Sequence, residues 1–195
     1  MRYLLVFFLV LCCGNVNAQG EAQGYYITLN SDTVSATYKL KTRPVFAFRS
    51  YDLFEEVHIL SEAKETVKFR PADIKGFFIE WKGDQAFFVS MPLRNGKQKF
   101  FRVIALSPEV NIYGYSVSTN NGMINHFTLR NAEGSYLYVG PDDGNQKTKK
   151  RLKKFFEGQD NILSIMSAIK DLFTKPGFVQ YDMERLIDKI LAPYK

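Results

Sequence analysis

Cysteine occurs only at Cys12 and Cys13. From residue 14 onward the chain therefore has no thiol for a disulfide, a thiolate metal site or a covalent nucleophile. Histidine is almost as scarce, with His58 and His126 alone, so a zinc site would need carboxylates brought in from afar. Glycine never gathers into a phosphate-cradling or dinucleotide fingerprint. The run Gly114-Tyr115-Ser116-Val117-Ser118 lacks the second glycine of a nucleophile elbow. Beyond residue 18 no apolar run is long enough to span a bilayer. No segment repeats at solenoid spacing, and none is of low complexity. These gaps remove thiol chemistry and the sequence signatures of the common catalytic families. The expectation is a chain with no cofactor, no metal ion and no catalytic residue.

Residues 1–18 read as a signal peptide. Arg2 supplies the charge, residues 3–13 form a short apolar run, and Val16-Asn17-Ala18 places small residues before a cleavage after Ala18. A lipoprotein would need a small residue before its modified cysteine, whereas Leu11 precedes Cys12. The expected location is periplasmic, outer-membrane-associated or secreted, with no transmembrane segment in the mature chain. Lacking disulfides, such a chain must hold itself by burial. That is feasible, because chains of about 150 residues bury roughly two-thirds of their unfolded surface.

Charge is distributed unevenly. Residues 19–144 carry 14 basic and 14 acidic side chains, whereas 145–195 carry 11 basic and 6 acidic ones. The basic excess of the mature protein therefore sits in its last quarter. It suggests a signal peptide at 1–18, a β domain at 19–144 and a basic helical appendage at 145–195.

Within the β domain, alternation with period 2 marks strand after strand. In 64–81, Val67 and Phe69 alternate with Lys68 and Arg70, Pro71 ends the ladder, and Asp73 and Gly76 supply turn chemistry. Alternation then resumes with Phe77, Ile79 and Trp81 on one face. Hairpins are expected at 25–29 with 33–40, 54–60 with 64–69, and 77–81 with 85–91. Two more are expected at 99–106 with 110–117 and 127–130 with 136–139. A further short apolar run lies at 45–48. The 29 aromatic residues mostly fall at alternating positions, which suits core filling better than a ligand-stacking surface.

After 140–144 the period changes to 3.6. Helices are expected over 146–157 with Leu152, Phe155 and Phe156 as the apolar stripe, from 160 to before Pro176, and over 179–191 with Met183, Leu186, Ile187 and Ile190 in register. The fold class is α+β. The architecture expected is an antiparallel β-sandwich, roll or barrel of about 9–10 short strands, followed by three C-terminal amphipathic helices.

The least average feature is the basic run Lys147, Lys149, Lys150, Arg151, Lys153 and Lys154, six positive charges within eight residues. It reads as an anion-binding helix, for phosphorylated lipid headgroups, lipopolysaccharide or an acidic protein surface. A solvated helix face docked by its apolar stripe is the plainer reading. Nucleic acid is not expected for an exported chain. His58 lies between apolar neighbours on a strand, and His126 follows a turn. The segment Asp142-Asp143-Gly144-Asn145 lacks the ligand alternation and closing glutamate of a calcium loop, and reads as a turn with a helix N-cap. Glu55 and Glu56 point to opposite strand faces and cannot share one proton-transfer site.

Three segments, GYYITLNSDTVSATYKL at 24–40, KFRPADIKGFF at 68–78 and QKFFRVIALSPEVNIYGYS at 98–116, resemble a family of small exported proteins of Gram-negative bacteria whose function is uncharacterised. The family carries an aromatic-x-Pro-x-Asp-Ile-x-Gly-Phe motif and ends in helices. In this chain Ser31 stands where the family has a turn glycine, and Ser107-Pro108-Glu109 replaces a glycine-containing turn. The resemblance implies an exported β-rich protein and brings no catalytic residue. The function expected is a non-enzymatic envelope module whose basic helix contacts an anionic partner. A small-molecule carrier with an aromatic-lined barrel cavity is the alternative, and a hydrolase the third.

Overall fold

Alternating apolar and polar residues carry ten strands into a single antiparallel sheet. The structure is a computed structural model and describes residues 19–41, 52–61, 65–81, 83–93, 95–119, 122–140, 143–175 and 179–194. The expected signal peptide and the run at 45–48 lie outside the described residues. The strands are β1 (Gln19–Thr28), β2 (Thr33–Lys41), β3 (Val57–Leu60), β4 (Thr66–Phe69), β5 (Ile74–Trp81), β6 (Asp84–Pro92), β7 (Gln98–Leu106), β8 (Val110–Thr119), β9 (Gly122–Asn131) and β10 (Tyr136–Val139). All five expected hairpins form. One strand boundary moves: residues 52–55, where a strand was expected from Phe54, form a single helical turn, α1 (Asp52–Glu55). It buries Leu53 and Phe54, the latter edge-on to Phe88 with centroids 5.8 Å apart.

The sheet runs β10-β9-β8-β7-β6-β5-β1-β2-β3-β4. It is one open sheet, so the expected barrel does not form: β4 and β10 remain edges, and no pairing joins them. The sheet nevertheless curls at its β4 end. Only residues 70–73 link β4 to β5, whereas four strand spacings on a flat sheet would separate them by about 19 Å. The turn is tight, with Asp73 N–H donating to Arg70 O at 2.9 Å, so β4 must bend back. Tyr26 on β1 meets Phe69 on β4 across the curl, at 5.1 Å.

Two apolar cores lie on the same sheet face. The first, inside the curl, is filled by Tyr38, Phe77, Phe88 and Phe100, all 0% exposed, under α1. A side-chain-filled interior leaves no room there for the cavity that a barrel carrier would need. The second core lies beneath α2 (Asn145–Phe155), α3 (Asp160–Ala168) and α4 (Val179–Leu191). Leu152, Phe156, Met166, Phe173, Met183 and Leu186 pack with Ile112, Phe127, Leu129 and Val139 in one cluster. The expected boundary near Gly144 is thus a change of secondary structure across which a single core continues.

The 68–78 motif has a structural job at each position. Asp73 Oδ2 accepts the Arg70 N–H at 2.6 Å, Pro71 O accepts the Ser90 hydroxyl, and Ile74 and Phe77 are buried. A Cβ on Gly76 would sit 2.4 Å from Phe88 O, so only glycine admits the approach of β6.

Candidate functional site

Helix α2 is oriented by what it buries. Thr148, Leu152 and Phe156 recur at i, i+4 and i+8 and are 1%, 0% and 0% exposed. At about 100° per residue, the arc opposite that stripe spans roughly 120° and holds Lys147, Lys150, Lys153 and Lys154. All four are exposed. No carboxylate among the described residues lies within 4.0 Å of any of them. The remaining two members of the basic run turn inward. Arg151 Nη1 pairs with Asp143 at 2.8 Å, and its Nη2 donates to Tyr138 O at 2.6 Å, which pins α2 to the end of β10. Lys149 is half-buried and donates to Leu172 O at 3.3 Å, tying α2 to the segment after α3.

The expected N-cap differs. Gly144, with φ 63°, occupies the cap position, and no side chain caps α2. Asp143 instead accepts from Gly140 N–H at 3.0 Å and from Arg151. A cationic side chain inside the helix has drawn the carboxylate away from the helix terminus.

His126 stacks flat on Tyr115, with centroids 4.6 Å apart and 4° between planes. Gly140 lies against the imidazole, where a Cβ would be 3.1 Å from Nδ1. The ring forms part of the wall of a cleft of about 330 Å³ that Leu93, Asn95, Tyr138 and Asp143 also line. His58 is elsewhere, at the β3–β4 edge, 2.6 Å from Glu56, with Lys68 3.8 Å from the same carboxylate oxygen. The two histidines therefore serve separate places. Among the described residues, no group of three or more histidine and carboxylate side chains is placed to hold a metal ion. Among them too, no helix is long and apolar enough to cross a membrane.

The chain matches no family model, no curated protein and no solved structure. Its function is read from its own residues.

Sequence reasoning missed Asp182. It is 3% exposed on α4, accepts the Phe173 N–H at 2.7 Å and pairs with Arg185 at 3.3 Å. Asp171 and Phe173, with φ 59° and 55°, form the tight turn that the carboxylate holds, and α3 ends earlier than expected as a result. Nothing in the local pattern marks an aspartate on an amphipathic helix as buried.

Proposed function

We propose that this chain is an exported, non-enzymatic binding module of the cell envelope that holds an anionic partner against the outer face of α2. The supporting observation is the segregation of that helix. Four lysines face outward without an acidic neighbour among the described residues, while Arg151 and Lys149 spend their hydrogen bonds on the fold. A row of ammonium groups suits phosphorylated headgroups or an acidic protein surface. Near an anionic surface each contributes about 1 kcal/mol, so four supply roughly 4 kcal/mol, strongly weakened by salt. That is reversible attachment, not anchoring.

The test is fractionation of envelopes carrying the wild type and a variant with Lys147, Lys150, Lys153 and Lys154 changed to Gln, Arg151 being kept because it holds the helix. The wild type is expected to stay with envelopes at low salt and to leave at about 0.5 M, where screening is nearly complete. The variant is expected to be released at low salt. Equal retention of the two proteins would remove the proposal.

A further inference from the structure

The register places an anomaly in the middle of the core-bearing face. Cross-strand partners follow one another as Phe77, Phe88, Arg102, Gly114, Phe127 and Val139, from β5 to β10. Four large or branched apolar residues are interrupted by a cation and a glycine. The interruption coincides with the gap between α1, over the first core, and α4, over the second. The gap is an open cleft of about 390 Å³ lined by Phe54, Arg102, Ser116, Asn125, Glu184 and Asp188, among others. This volume lies in the range of small-molecule sites.

Its polar groups are held in place. Asn125 Nδ2 donates to Glu184 Oε1 at 3.2 Å, and Gln180 Nε2 reaches the same oxygen at 3.4 Å. Ser116, 6% exposed, donates its hydroxyl to Asn125 Oδ1 at 2.7 Å. Both bonds to Glu184 fall on Oε1, so Oε2 keeps its lone pairs. Asp188 follows one helical turn later on the same side of α4. On the floor, a bulge leaves Ile104 without a β8 partner. Its Cδ1 lies 2.7 Å from where a Gly114 Cβ would be, which explains the glycine. Bulges of this kind recur beside binding sites because they re-aim a side chain.

We infer that this cleft binds a free α-amino acid with an apolar side chain. Opposite charges stand at its two ends, with Arg102 on β7 and the carboxylates of α4 over β9, to which Glu184 is tied through Asn125. Strands β7 and β9 are two spacings apart, about 10 Å. An α-ammonium and an α-carboxylate lie about 3 Å apart. With a hydrogen bond of about 2.8 Å at each end, the ligand spans about 9 Å and matches that gap. Phe54, Phe127 and Ile187, all buried, supply the apolar wall for its side chain. The site is independent of the lysine face of α2.

Calorimetric titration of the full chain with L-leucine, N-acetyl-L-leucine and L-leucinamide tests it. L-leucine is expected to bind saturably, and each blocked analogue, lacking one charge, to bind at least tenfold more weakly. Glu184→Gln, an isosteric change at an exposed position, is expected to weaken L-leucine binding about tenfold without altering the far-UV circular dichroism; Arg102→Gln is expected to do the same. No heat of binding with L-leucine at millimolar concentration, or equal binding of all three compounds, overturns the inference, as does undiminished binding by Glu184→Gln.

Discussion

Tyr38 shows how a single ring can organise one core. It is 0% exposed, donates its hydroxyl to Tyr25 O at 2.7 Å and packs 5.8 Å from Phe77. Its Cε2 would lie 3.0 Å from a Cβ on Gly24, and Phe78 O only 1.9 Å, so the ring and β5 both need glycine at that position. Burial, with smaller contributions from Tyr26 and Tyr25, pushes the Tyr38 phenol far above the usual tyrosine range. The neutral form is thus the one the fold accepts. Its contribution is complete below the unfolded tyrosine value of about 10 and is lost as pH rises beyond it. Urea unfolding at neutral and at alkaline pH should show stability falling in the alkaline arm. Tyr38→Phe should flatten part of that fall, at a cost of about 1 kcal/mol at neutral pH for the lost hydrogen bond. Tyr113, also raised chiefly by burial, leaves a residual slope.

At the scale of the element, α2 separates attachment from recognition on one turn of helix. Arg151 and Lys150 are neighbours in sequence with identical formal charge, yet Arg151 is bonded to Asp143 and Tyr138 and Lys150 is exposed. Arg151→Met should destabilise the protein by about 1–3 kcal/mol, because it strips a partly buried carboxylate of its partner. Lys150→Met should leave stability within about 0.5 kcal/mol, as exposed substitutions usually do. Leu152→Ala, at a fully buried position, should cost about 2–5 kcal/mol. Chemical denaturation of the three variants checks all three values. The helix and its stripe were legible in the sequence, since the 3.6 period needs only local spacing. Which cations turn inward was not, because it depends on the end of β10 and the segment after α3 arriving beside α2.

For the whole molecule, the consequential fact is that the helices complete the sheet. Val110, Ile112, Phe127, Leu129, Leu137 and Val139 are covered by α2, α3 and α4. A chain ending at residue 144 would expose that surface to water. It should aggregate or lose cooperative unfolding, as read by size-exclusion chromatography and thermal melts, even though the charge asymmetry of the sequence points to a boundary there. A monomeric, cooperatively melting truncation would show that the β-sheet stands alone. The curl at β4 and the open edge at β10 are likewise properties of the assembled sheet and not of any one strand.

Alternation, turn residues and helical spacing were enough to determine the five hairpins, the three C-terminal helices and the α+β class, because each depends on neighbours a few residues away. Sheet closure, the pairing of β1 with β5, the burial of Asp182 and the inward turn of Arg151 were decided only in three dimensions. Each depends on groups far apart in the chain, whose meeting is set by shared burial and hydrogen-bond geometry. The cleft at Arg102 belongs to the same class: its residues come from separate strands and helices, and only the register sets a charge in the midst of an apolar face.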